Sequence, residues 1–86
     1  MKIHIQHHAL ARAKERGTNL EEIKIVFHSG FPIPAKHDRK GKAKIFDFQQ
    51  KRFNEFYEQK RVEIFYTEDN DDIIILTVYV FYGKWE

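Results

Sequence analysis

From Asp72 to Tyr82 the chain reads D-I-I-I-L-T-V-Y-V-F-Y, with no Gly, Pro, Asn or Lys. Stiff β-branched and flat aromatic side chains lose little freedom on a pleated surface, so this stretch reads as a strand. Strict alternation puts Ile74, Leu76, Val78 and Val80 on one face and Ile73, Ile75, Thr77, Tyr79 and Phe81 on the other. Apolar residues on both faces predict a strand inside a sheet, covered on each side. Thr77 and Tyr79 make the second face the more polar one, and a site is expected there.

The neighbouring segments follow from this strand. Arg61 to Thr67 alternates, with Val62, Ile64 and Tyr66 on one face and Glu63 and Phe65 on the other. Glu68-Asp69-Asn70-Asp71 then reads as the hairpin turn into the last strand. Ala43 to Gln49 alternates more loosely, and Lys51 to Tyr57 fits a strand continuation, a bulge or a helical turn. Ala35 to Lys42 is polar and basic and reads as a loop, while Phe31-Pro32-Ile33-Pro34 must be extended. Further upstream the period changes to that of helices. Ala9, Leu10 and Ala13 form a narrow stripe after His7, closed by Gly17 as a left-handed cap. Thr18-x-x-Glu21 reads as a capping box for a second helix carrying Leu20, Ile23, Val26 and Phe27, ended by Ser29-Gly30. Ile3 and Ile5 alternate in a short lead-in strand, and residues 83–86 form a tail. The order is β-α-α-β-β-β, an α+β domain spanning residues 1–86. A helical hairpin is expected on one face of a curved antiparallel sheet.

Eighty-six residues make one domain. The absence of cysteine excludes disulfides and zinc-thiolate sites. No apolar run reaches membrane-spanning length and M-K-I-H-I-Q-H-H is no signal peptide, so a cytoplasmic location is expected. The net charge of +2 is unevenly spread: residues 1–33 carry +2, residues 34–61 carry +5 and residues 62–86 carry −5. A basic middle beside an acidic end suggests a face that meets a polyanion.

His8, Arg12 and Arg16 stand four residues apart, and each step turns by only about 40° around a helix, so they share one side. Arginine offers a fork of donors to phosphate oxygens, and histidine titrates near neutrality. One imidazole with two fixed cations is what phosphodiester cleavage without a metal would use: the base takes the ribose 2′-hydroxyl proton while the guanidinium groups stabilise the phosphorane. The other reading of these residues is structural, with the arginines paired to Glu15, Glu63 or the acidic turn and His8 as a cap. His4, His7 and His8 lack the spacing of a zinc motif, so neither a metal nor a cofactor is expected. Lys36, Arg39, Lys40, Lys42, Lys44, Lys51, Arg52 and Lys60 interleave with Phe46, Phe48, Phe53 and Tyr57, and Lys84 follows in the tail. Cations that hold a backbone beside rings that stack on bases suit single-stranded RNA.

The segment His8-Ala9-x-x-Arg12-x-x-Glu15-Arg16-Gly17, the Glu21-Glu22-Ile23 helix and the ending Thr77-Val78-Tyr79-x-Phe81-Tyr82-Gly83-Lys84-Trp85 resemble a small prokaryotic family of domains of unknown function. That family is grouped with the RelE/BrnT-type toxins of toxin–antitoxin modules. The resemblance covers both ends of the chain and implies a RelE-like fold and mRNA cleavage by 2′-hydroxyl attack. It also implies neutralisation by a cognate antitoxin. By position it makes His8 the proton-transfer residue, Arg12 and Arg16 the phosphate ligands, and Tyr79 the group that orients or donates. Two other roles fit the same residues: a non-catalytic RNA- or protein-binding module, and a homodimerising domain cemented by Phe56, Tyr57 or Trp85.

Overall fold

The structure is a computed structural model that describes residues 1–85; Glu86, counted above in the tail, lies outside them. Its elements are β1 (Ile3–Ile5), α1 (His7–Arg16), α2 (Leu20–Ser29), β2 (Phe31–Ile33), β3 (Lys40–Arg52), β4 (Glu55–Asp69) and β5 (Asp72–Gly83). The five strands form one open sheet in the order β1-β5-β4-β3-β2, with both helices on one face. The domain is α+β, as the alternation of periods predicts. No helix among the described residues is long and apolar enough to cross a membrane.

The sheet departs from the expected meander in two ways. β1 lies parallel to β5, with Ile3 opposite Ile73 and Ile5 opposite Ile75, so the sheet is mixed rather than antiparallel. Phe31 to Ile33, expected only to be extended, pairs with Ala43 to Gly41 as an edge strand. An edge position tolerates Pro32, which has no N–H to donate. β3 also starts at Lys40, within the stretch read as a loop, and runs to Arg52. The uncertain segment after it is a two-residue turn: Phe53 and Asn54 both have positive φ, the geometry that matches the twist of a hairpin. Asn70 and Asp71 make the same turn between β4 and β5, inside the predicted acidic turn.

The faces of β5 also differ from strict alternation. Phe65 pairs with Thr77 but Tyr66 pairs with Ile75, leaving Leu76 as the extra residue of a β-bulge. Ile73, Ile75 and Val78 consequently share the helix-facing side and are all buried, whereas Ile74, Thr77, Tyr79 and Phe81 lie on the other. That second face is not covered as expected: Phe31, Tyr79 and Phe81 remain 43, 42 and 48% exposed. Nor is β5 interior throughout. β1 pairs with it only as far as Ile75, and β4 is the central strand.

The core lies between the helices and the sheet. Ala13, Ile23, Val26 and Phe27 meet Val62, Ile64, Tyr66, Ile73, Ile75 and Val78. Full burial of an aliphatic side chain such as Ile23, Ile64 or Ile75 stabilises by about 1.5–3 kcal/mol each. Gly17 ends α1 at φ 100°, and the Thr18 N–H returns to the Ala13 carbonyl oxygen at 3.0 Å. That return bond and its burial remove Thr18 from the predicted capping box. Asn19 caps α2 instead, its side-chain oxygen accepting from the Glu22 N–H at 2.8 Å. The Thr18 hydroxyl donates to the Glu22 carboxylate, also at 2.8 Å.

A candidate nucleic-acid site beside the last strand

α1 runs along the part of β5 that β1 leaves unpaired. Its small residues Ala9 and Ala13, both buried, allow that close approach. Three tertiary donors hold its C-terminal end. Lys60 Nζ reaches the Gly17 carbonyl oxygen at 2.7 Å, the Tyr82 hydroxyl reaches that of Arg16 at 2.6 Å, and Arg52 reaches that of Glu15 at 2.7 Å. They satisfy carbonyls that helix geometry leaves without partners, and the two cations suit the negative end of the dipole. Lys60 is buried and also pairs with Glu22 at 2.8 Å. Burial pushes the Tyr82 phenol above its ordinary pKa, against the pull of the Arg52 guanidinium.

With α1 held there, His8, Arg12 and Arg16 face β5 across a hollow of about 320 Å³ lined also by Ala9, Leu76, Thr77, Val78 and Tyr79. All four residues singled out for catalysis therefore line one opening. Arg16 donates to the Val78 carbonyl oxygen at 2.6 Å, and its guanidinium lies 5.3 Å from the centre of the Tyr79 ring. This arginine fastens the unpaired strand edge as well as lending charge. His8 and Arg12 are exposed, and neither side chain makes a hydrogen bond or ion pair among the described residues. Neither Glu15 nor the acidic turn pairs with the arginines of α1. Glu63 is held by Arg61 at 2.9 Å, and the N-cap of α1 is Gln6, not His8.

A second hollow, of about 350 Å³, opens on the uncovered sheet face. Pro34, Ala35, Lys36, His37 and Arg39 from the loop before β3 line it, with Phe65, Thr77 and Tyr79 from the sheet. Thr77 and Tyr79 belong to both hollows. The loop turns tightly: His37 and Asp38 have φ of 58° and 60°, and the Arg39 N–H returns to the Lys36 carbonyl oxygen at 3.2 Å.

The expected basic surface is dispersed. Only Lys36 and Arg39 stand beside Tyr79. Lys40, Lys42 and Lys44 lie opposite Tyr66, Ile64 and Val62, so the register turns them to the helix side. Lys40 pairs there with Glu68 at 2.7 Å, and Lys42 donates to the Phe27 carbonyl oxygen at 2.7 Å. Lys51 and Arg52 sit at the far end of the β3–β4 hairpin, with Arg52 committed to α1, and Lys84 lies 3.5 Å from Glu58. The rings named with these cations are dispersed as well: Phe48 and Tyr57 pack against Tyr82, Phe46 packs against the core, and Phe53 projects from the turn, 87% exposed. The rings that do share an accessible face are Phe31, Phe65, Tyr79 and Phe81. The signal for Phe65 is its place beside Glu63 on the non-core face of its strand. No such signal marks Phe31, which reaches the face through an edge pairing. Lys60, one of the cations expected to meet RNA, is instead buried against Gly17 and Glu22.

Among the described residues no cluster of His, Asp or Glu is arranged to hold a metal ion. The chain matches no family model, no curated protein and no solved structure in the three comparisons made.

Proposed function

We propose that this protein is an endoribonuclease of the RelE/BrnT kind, the toxin of a toxin–antitoxin pair, cleaving RNA by attack of a ribose 2′-hydroxyl. One observation carries the reading: His8, Arg12, Arg16 and Tyr79 line a single accessible hollow. In the proposed reaction His8 takes the 2′-hydroxyl proton as its oxygen attacks phosphorus. Arg12 and Arg16 stabilise the added negative charge, and the bond to the 5′-oxygen breaks as Tyr79 supplies a proton to it. The products are a 2′,3′-cyclic phosphate and a 5′-hydroxyl end. α1 has no acidic residue in its first turn, so its positive end also favours the phosphate. The toxin role and the RelE-like form of the fold come from the resemblance at both ends of the chain.

A second reading, an RNA-binding module without catalysis, is favoured by the double engagement of Arg16 with Val78 and Tyr79. Incubating the purified protein with a labelled single-stranded RNA separates the two. Fragments ending in cyclic phosphate, lost with His8→Ala, support the enzyme; salt-sensitive binding of intact RNA supports the module.

A further inference from the structure

We propose that the second hollow is a nucleobase site, holding the base of one unpaired nucleotide next to the phosphate bound in the first. This inference rests on the nuclease reading and names the part of the substrate that reading leaves unassigned. The two hollows share Thr77 and Tyr79, so a ligand in one lies against the wall of the other. A sugar-phosphate beside Arg12 therefore has its base within reach of the far side of Tyr79.

The lining suits a flat heterocycle. Phe65 and Tyr79 have centroids 6.0 Å apart and ring planes at 75°, forming a corner in which a base can stack on one ring and meet the other edge-on. Pro34 and Ala35 extend the apolar wall. The polar rim consists of Lys36, His37, Arg39 and Thr77, rich in donors for the carbonyl oxygens of bases and for a flanking phosphate. None of the Lys36, His37 and Arg39 side chains is engaged elsewhere among the described residues, and the tight turn at His37 and Asp38 fixes the loop that carries them. Glu63, on the same face of β4 as Phe65, is paired with Arg61 at 2.9 Å. A base inside a duplex keeps its faces stacked and its edges paired, so the occupant is single-stranded.

The test is fluorescence anisotropy with the whole chain and two labelled strands. One is a 2′-O-methyl hexauridylate, which cannot be cleaved; the other is the same strand with one central abasic residue. The abasic strand should bind about tenfold more weakly, the scale of one base–ring stack. Phe65→Ala should bring the intact strand down to that level and leave the abasic strand within about twofold of its wild-type affinity. Arg39→Ser, on the exposed rim where it cannot disturb the core, should weaken the intact strand severalfold. Equal affinity for both strands overturns the base site; if Arg12→Ala still weakens both, the nuclease reading stands without it. Failure of either strand to bind, with no cleavage of RNA, overturns both. Self-association abolished by Phe65→Ala would assign the face to a second copy and overturn the base site.

Discussion

The Tyr82 hydroxyl donates to the backbone carbonyl oxygen of Arg16 at 2.6 Å, so the end of the last strand fixes the end of the helix whose side chains line the first hollow. The geometry of the proposed site and the stability of the fold are therefore joined at one phenol.

Tyr82→Phe should lower stability by about 1–3 kcal/mol, because a half-buried carbonyl loses its donor. The pH dependence supplies a second readout. Burial holds the folded-state pKa of Tyr82 above the unfolded value of about 10. The folded chain therefore keeps this proton more tightly than the unfolded one. That contribution is complete below pH about 10 and is lost as pH rises through the folded value. Urea titrations across the alkaline range should show a falling limb in the wild type that Tyr82→Phe flattens.

Lys60→Met should cost about 1–3 kcal/mol, since the Gly17 carbonyl loses its donor and the Glu22 carboxylate its cation, keeping only the Thr18 hydroxyl. Adding Glu22→Gln should recover part of that loss. A double-mutant cycle by chemical denaturation measures the coupling, and simple additivity would show that the pair is unimportant.

Gly17→Ala meets two obstacles at once. Its φ of 100° disfavours any side chain, and the new methyl group would collide with the Tyr82 hydroxyl. A loss of more than about 1 kcal/mol is expected, with a lower melting temperature and, through the displaced helix end, weaker RNA cleavage.

His8→Ala and Arg12→Ala should leave stability within about 0.5 kcal/mol of wild type, because both side chains are exposed and unengaged among the described residues. His8→Ala should reduce RNA cleavage by about 10²–10⁴-fold. Arg16→Ala should reduce both activity and stability, since its bond to the Val78 carbonyl oxygen is lost with its charge. Parallel melting curves and product analysis check all three variants.

Asp72 ties β1 to the sheet: its carboxylate accepts from the Lys2 N–H at 3.0 Å and contacts His4 at 3.3 Å. These contacts, the backbone one first, hold its pKa below the ordinary value of about 3.9. The stabilisation is present above that value and lost as pH falls through the folded one. Asp72→Asn should flatten the acid limb of the stability profile and speed amide exchange at Ile3 to Ile5. Unchanged exchange would show that β1 is held by other means.

Much of the frame is legible in residue type and spacing. Gly17 marks the break between the helices, Val62, Ile64 and Tyr66 mark the core side of β4, and Asn70-Asp71 lies inside the turn expected from its composition. The shared face of His8, Arg12 and Arg16 is helix geometry and needs no coordinates. Other features depend on pairing partners that spacing does not reveal. The three residues of β2 are a strand only because β3 runs beside them, and Lys42 leaves the open face because it lies opposite Ile64. The parallel placement of β1 joins the two ends of the chain, and no local pattern records it.

The extra residue at Leu76 acts as a frame marker for the final strand. Looped out of the ladder, it lets Val78 and Val80 keep the phase of Ile73 and Ile75; drawn into the ladder, it would turn Tyr79 and Phe81 toward α1 and Val78 and Val80 outward. Deleting Leu76 would close the bulge and leave both rows on their present faces. The point at which the ladder skips a residue, rather than the alternation of letters, thus decides which rings reach the open face.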